Sequence, residues 1–476
     1  MGGKGISAYL RKSPGEWKIF MRIALWLSVA LVALAGCVRL PGVLAPVDGS
    51  AIQDLKTLPQ DPAFYAAQLG ATAEKPLLDD AAQQAMNERF DALFFDPWRR
   101  TTAKTPAAEA FWGITDYAAQ HGFGENKLPR SKAWMDALVA ASDTARYPSL
   151  GYKAIAVRNT ALRVMPTQRP FFLDFEKAGE GYPFDYFQGS FVWAGAPLFV
   201  AHSTPTGDWL FVETGATAGW VQANDLARVD DNVAKAYQTG AYAVLLKDEV
   251  LVREAAANRQ GRALFTTHLG AVFPLPKENS RSDKGLEVLV PVADANGAAV
   301  LRRGLIPAGA ATSKPLTLTA ANVAAIAASM MGKTYGWAGL YENRDCSSTQ
   351  RDLFSAFGVW LPRNSAAQAK TGRVIALKDM DVAAKERLIL EQGVPFLTLL
   401  GLKGHIVLYL GAYQGRAAVF HNIWGVRTLD REKREGRRII GRTVITTLEP
   451  GKEHEDVARA GRSLLHGVHS MTILGP

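Results

Sequence analysis

Cysteine is almost absent from this chain: 476 residues contain two, Cys37 and Cys346. That scarcity excludes a disulfide framework and any structural zinc site that needs several thiolates. The sequence also lacks a glycine period and a sustained heptad, so collagen-like and coiled-coil architectures fall away. Charged residues are 21% and hydrophobic ones 48%, which excludes wholesale disorder. Histidine is sparse, with eight residues. What remains is an ordinary globular chain, long enough for about three domains, with a formal charge of +9.

Much of that charge sits in the first residues. Lys4, Arg11, Lys12, Lys18 and Arg22 precede an apolar stretch, Ile23–Ala35, of 13 residues. It is shorter than the roughly 20 residues that span a bilayer and suits a signal-peptide core. The stretch ends in Leu34-Ala35-Gly36-Cys37, which resembles a bacterial lipobox: residues 1–36 would be removed and the Cys37 thiol lipidated. A plain secretory signal or an uncleaved anchor is the alternative. Val38, rather than Asp, points to the outer membrane, with the protein facing the periplasm. Cleavage removes five basic residues and Glu16, leaving about +5. An exported protein meets no genome, so nucleic acid is not an expected partner. With Cys37 lipidated, Cys346 is the lone thiol, and in an oxidising compartment a free thiol is a liability unless buried or working.

The pattern predicts a multidomain α+β chain. Residues 37–60 read as a tether. Residues 61–148 read as a helical N-terminal domain, with helical spacing in Asp79–Phe94 and Ser131–Ala141 and a core of Phe94, Phe95, Trp98, Phe111 and Trp112. From about residue 149 the period becomes two. Short strands at Ala154–Val164, Phe187–Val200, Trp209–Glu213 and Gly219–Val221 predict a first small β-barrel over 149–235. A second is expected over 236–312, with turn signals at Asn258-Arg259-Gln260-Gly261 and Asn296-Gly297. Residues 313–476 read as a mixed α/β domain. There Thr319 caps a helix carrying Val323, Ile326, Ala327 and Met330 and stopped by Gly332.

Cys346 lies where a loop enters a second helix, a place where free amides and the helix dipole favour a thiolate. A nucleophilic thiol needs a base, usually histidine, held by a third group. Only His405 and His421 fall in strands of the same domain, Arg416–Ile423 following His405–Tyr413. If the hairpin turns about Gln414, His405 faces Ile423 and His421 is its diagonal neighbour on one face, about 7–8 Å away at Cα. One residue more or less in the turn would separate them.

Tyr335-Gly336-Trp337-Ala338-Gly339, Asp345-Cys346-Ser347, Leu361-Pro362-Arg363, Gly404-His405 through Gly411 and Val419-Phe420-His421 together resemble the NlpC-type, papain-like cell-wall cysteine peptidases. With the helical segment and two SH3-like barrels, the chain is similar to the branch of γ-D-glutamyl-L-diamino-acid endopeptidases. The resemblance implies Cys346 as nucleophile, His405 as base and acid, and His421 as its orienting partner. It places Tyr335 beside the thiol at the oxyanion site, and Asp345 and Ser347 on the free amine of a peptide substrate. Asp185 and Tyr186 are the SH3-like residues considered beside them. It implies a monomer acting on peptidoglycan stem peptides, with no cofactor and no metal. The alternatives are an endopeptidase for D-Ala–diaminopimelate cross-links and a non-catalytic wall-binding lipoprotein. The barrels would either bind wall or serve as spacers and walls. Two departures stand out: Ala338, where a second glycine is usual and which is expected to narrow the cleft, and Ser348, where glycine is common.

Overall fold

The computed structural model describes residues 47–255, 261–277, 281–282 and 285–476. Cys37 and its leader lie outside them. Among the described residues no helix is long and apolar enough to cross a membrane.

The N-terminal helices have no core of their own. The longest are α1 (Asp80–Phe94) and α2 (Lys132–Ala141), capped by Asp79 and Ser131 side chains that accept from backbone amides. Phe95 and Trp98 are buried, and beyond each other and Phe94 their rings meet Tyr237 and Tyr242, which follow the first barrel's strands. Trp98 Nε1 donates to Ala154 O at 2.8 Å, and Phe90 meets Trp360. Trp112, expected in a core, is 41% exposed. With so few large apolar residues, this segment is stable by lending its faces to its neighbours.

The first barrel is a seven-stranded sheet: β1 (Tyr152–Ala156), β2 (Thr160–Arg163), β3 (Gln188–Val192), β4 (Pro197–Ser203), β5 (Trp209–Glu213), β6 (Ala218–Gln222) and β7 (Leu226–Arg228). Their spatial order is β3-β2-β6-β5-β4-β1-β7. A second β-rich module follows over 242–314. It has a five-stranded and a three-stranded sheet, packed about Val252, Phe273, Val288, Val290 and Ile306.

The C-terminal domain sets α3 (Ala320–Met330) and α4 (Cys346–Ser355) against a seven-stranded sheet. Six of its strands, labelled after those above, are β8 (Arg373–Ala376), β9 (Thr398–Leu402), β10 (His405–Tyr413), β11 (Arg416–Leu429), β12 (Glu435–Thr446) and β13 (Val468–Ile473), and Val47–Asp48 is the seventh. Ile406, Leu408 and Leu410 share a core with Cys346 and Leu353, while Val407 and Tyr409 pack with Ile389 on the other face.

The tether expected over 37–60 needs correction for its described part. Val47–Asp48 pairs in parallel with Arg438–Ile439 at the sheet edge. Ile52 is fully buried against Ile423, Val426, Ile440 and Val444. Asp54 Oδ2 accepts from Thr447 N and Oγ1, and Gln60 exchanges two hydrogen bonds with the Ile445 backbone. One isoleucine and a row of open edge amides turn polar spacer sequence into a clamp.

Candidate active site

Asp345 caps α4. Its Oδ1 accepts from Ser348 N at 2.8 Å, and Ser348 Oγ accepts from Asp345 N at 2.9 Å, a reciprocal capping box. Ser348, where glycine is common, therefore closes the box. Cys346 is the first helical residue and is buried.

Tyr335 lies beside this thiol, in electrostatic range of it, and its ring sits 6.0 Å from that of Trp424. The amides of Ile406, next to His405, and of Ser347 face the sulfur. The start of β10, next to His405, thus lies at the Cys346 sulfur.

Burial works against the expected thiolate. Burial, and then the Asp345 charge, push the Cys346 thiol up to about 12 against the help of those amides. Burial likewise lowers His405 to about 4, with Asp345 pulling the other way. Desolvation costs the charged forms more than a helix start returns. Both shifts favour the uncharged thiol and the uncharged imidazole.

His421 is fully buried behind His405. His405 Nε2 lies 2.9 Å from His421 Nδ1, and His421 Nε2 lies 3.0 Å from Thr446 Oγ1. Thr446 Oγ1 donates its one proton to Thr447 O at 2.6 Å. It must therefore accept from His421 Nε2–H. His421 Nδ1 then accepts from His405 Nε2–H, which leaves His405 Nδ1 with a free lone pair.

Asp345 and Ser347 are engaged differently from the expectation. Arg363 Nη2 donates to Asp345 Oδ2 at 2.8 Å, and Arg363 Nη1 to Ser347 Oγ at 2.9 Å. Arg363 Nε donates to Ser190 Oγ of β3 at 2.7 Å, tying the barrel to the helix start. Burial alone would raise Asp345, but Arg363 and Ser348 overcome it and hold the carboxyl at about 2. The carboxylate is charge-compensated, and Oδ2, with a single partner, keeps acceptor capacity for a further donor. Asp185 is unavailable: it is buried, paired with Arg163 at 2.8 Å, and accepts from Phe171 N and Phe187 N. Tyr186 reaches Gly179 O.

Ala338 is buried and does not line the groove beside His405, so the expected narrowing is not seen. It adopts a left-handed φ of 51°. The next position, Gly339, has no room: a Cβ there would stand 2.5 Å from Phe191 Cβ. The groove is flanked instead by Phe184 of the first barrel's long loop, Trp337 and Trp424, with Phe184–Trp337 centroids 5.1 Å apart. Sequence reasoning quoted Arg363 within a motif without giving it a role, and it missed Thr446. Only three-dimensional pairing reveals either.

Three family models match the chain. The NLPC_P60 stabilising domain, N term, covers residues 24–147; the SH3 domain (SH3b1 type) covers 170–222; and the NlpC/P60 family covers 332–423, a span holding Cys346, His405 and His421. Among solved structures, the chain is similar to one described as a novel NlpC/P60 endopeptidase from Photobacterium damselae subsp. piscicida. Identity is 26%, TM-score 0.75, and 88% of this chain and 97% of that one are covered. An NlpC/P60 family protein from Bacillus cereus ATCC 10987 matches at 15% identity and TM-score 0.43, over 68% of this chain and 100% of that one. A comparison with curated proteins gives no match.

Proposed function

Through its C-terminal domain this chain belongs to the NlpC/P60 family, and from that premise we propose that it is a cysteine endopeptidase hydrolysing the γ-D-glutamyl–diaminopimelate amide of peptidoglycan stem peptides. The observation that carries this reading is the relay from His405 through His421 to Thr446. It leaves one imidazole lone pair on the residue next to Ile406, whose amide faces the sulfur.

Cys346 Sγ attacks the amide carbonyl and His405 Nδ1 takes its proton. The imidazolium keeps its hydrogen bond to His421 and gains from the nearby Asp345 charge. The oxyanion meets the Cys346 N–H and the Tyr335 side. His405 then protonates the leaving amine, the C–N bond breaks, and water attacks the thioester by the reverse relay. Mass spectrometry of muropeptides digested with purified protein tests the bond. Release of the dipeptide L-Ala-D-Glu is expected; cleavage at D-Ala–diaminopimelate, or no cleavage, overturns the assignment.

Peptides with a free N-terminal L-Ala are the proposed preferred substrates, with the ammonium sharing Asp345 Oδ2 with Arg363. Because that charge is already compensated, kcat/KM on free and N-acetylated tripeptide measures what the sharing is worth. Equal rates would remove the preference.

The proposed anchor is a lipid on Cys37, holding the enzyme at the periplasmic face of the outer membrane. Val47, where the clamp begins, lies ten positions after Cys37, a reach of at most about 36 Å. Cys37→Ser should release the protein from membranes; unchanged fractionation overturns the anchor.

A further inference from the structure

The groove that starts at Tyr335 and His405 continues over β11 and β12, and its charge has one sign. Lys403, Arg427, Arg437 and Arg462 line it, and no Asp or Glu does. Lys403 sits on the turn two residues before His405, and both it and Arg462 are exposed. Neither makes an ion pair or side-chain hydrogen bond among the described residues. Arg427 and Arg437 share one carboxylate outside the groove, Glu435, at 2.8 and 2.6 Å. Elsewhere in the domain arginines near acids are paired off, as Arg416 is by Glu386 and Glu449 and Arg438 by Asp456. Four cations line one cleft that no Asp or Glu lines, and two of them share a single carboxylate, which leaves an excess of positive charge along the cleft.

We propose that this groove is a carboxylate-binding subsite, in which Lys403 and Arg462, with Arg427 and Arg437 behind them, hold the anionic part of the stem peptide while its amide is seated at Cys346. The inference rests on the proposed function and names what that site reads. A γ-D-glutamyl–diaminopimelate peptide carries the α-carboxylate of D-Glu on one side of the scissile amide and the carboxylates of diaminopimelate on the other. Either matches guanidinium and ammonium donors; an amidated peptide offers the same shape without the charge.

The test measures binding of L-Ala-γ-D-Glu-meso-diaminopimelate by calorimetry to the full chain carrying Cys346→Ala, so that nothing is cut. Three amidated forms are compared: at the D-Glu α-carboxyl, at the diaminopimelate carboxyls, and at both. The free acid should bind at least about tenfold more tightly than the fully amidated peptide, and the singly amidated forms identify which carboxylate is held. In the Lys403→Gln/Arg462→Gln background that ratio should fall towards one while affinity for the fully amidated peptide is unchanged. Raising salt should reduce the ratio in the parent protein. Equal affinity for acid and amide, a ratio that survives in the double variant, or no binding of either peptide overturns the subsite. The bond assignment fails separately, on product masses with the active enzyme. An enzyme that cuts another amide yet keeps the acid-over-amide ratio retains this subsite, and one that cuts as proposed without the ratio loses it.

Discussion

His421 accepts from His405 rather than donating to it, because Thr446, committed to Thr447 O, can only accept from His421. Each link fixes the tautomer of the next. Thr446→Val removes the acceptor at nearly constant shape, and His421 is then free to turn its Nδ1–H tautomer towards His405. The expected result is a fall of about tenfold in kcat with KM little changed, and about a hundredfold for His421→Ala. His421→Asn, which can still accept from His405, should recover part of the loss. If Thr446→Val leaves kcat and its acid limb untouched, the relay stops at His421.

The opposite shifts of Cys346 and His405 predict a pH signature. In the proposed role of base His405 must be unprotonated, and its folded value is near 4 while the thiol's is near 12. kcat/KM should therefore rise through the range around pH 4–5 and stay level through neutrality. Iodoacetamide should alkylate Cys346 more slowly than free cysteine at pH 7, and EDTA should have no effect on activity. Alkylation faster than free cysteine would mean a preformed thiolate–imidazolium pair.

The hairpin shows what was legible in the sequence and what was not. A turn about Gln414 was expected, which puts His405 and His421 on one face. The observed turn is Gln414-Gly415, both at positive φ, pairing Tyr413 with Arg416. That difference alone would have separated the histidines. A bulge between Tyr409 and Gly411 shifts the register back, so Tyr409 pairs with Val419 and Leu408 with Phe420. Alternation within each strand is local and readable; a bulge that corrects a turn is not. The helix starts at Thr319 and Cys346 were equally readable, because caps are local chemistry. The Asp345–Arg363 pair, the clamp at Ile52 and the sharing of Phe95 and Trp98 depend on neighbours far along the chain, and no spacing announces them.

Arg363 compensates a carboxylate that burial would otherwise neutralise. Arg363→Ala leaves Asp345 buried with its charge unmatched, and the expected cost is about 3–5 kcal/mol of stability by denaturant titration. Asp345 has its folded value lowered, so its contribution is present above about 3.9 and is lost as pH falls towards about 2. Arg363→Ala should accordingly be far less costly near pH 2 than at pH 7. A cost below about 1 kcal/mol at neutral pH would show that solvent reaches the pair.

A second ionic cluster holds the loop leading to Cys346, and it responds to pH with the opposite sign. His268 Nε2 lies 2.8 Å from Glu342 Oε2, its Nδ1 lies 3.5 Å from Asp248 Oδ1, and its ring stacks on Trp193. Arg344, one residue before Asp345, binds Asp248 and Asp352 at 2.7 Å each, and Asn159 donates to Glu342. Burial alone would lower His268, but hydrogen bonds to Asp248 and Glu342 and their charges outweigh it and raise it. A raised histidine stabilises the fold fully below its unfolded value, about 6.5, and loses that contribution as pH rises through its folded value. Glu342 and Asp248 are both lowered, so they stay ionised across that range. His268→Gln keeps a hydrogen-bonding side chain and removes the charge. Its Tm deficit relative to the parent protein should be larger at pH 6 than at pH 9. Because Glu342 closes the loop that carries Trp337 into the groove, KM for the peptide should also rise in this variant at pH 6 more than kcat falls. A Tm deficit that is the same at both pH values would mean that His268 holds this loop as a neutral ring, by packing on Trp193 alone.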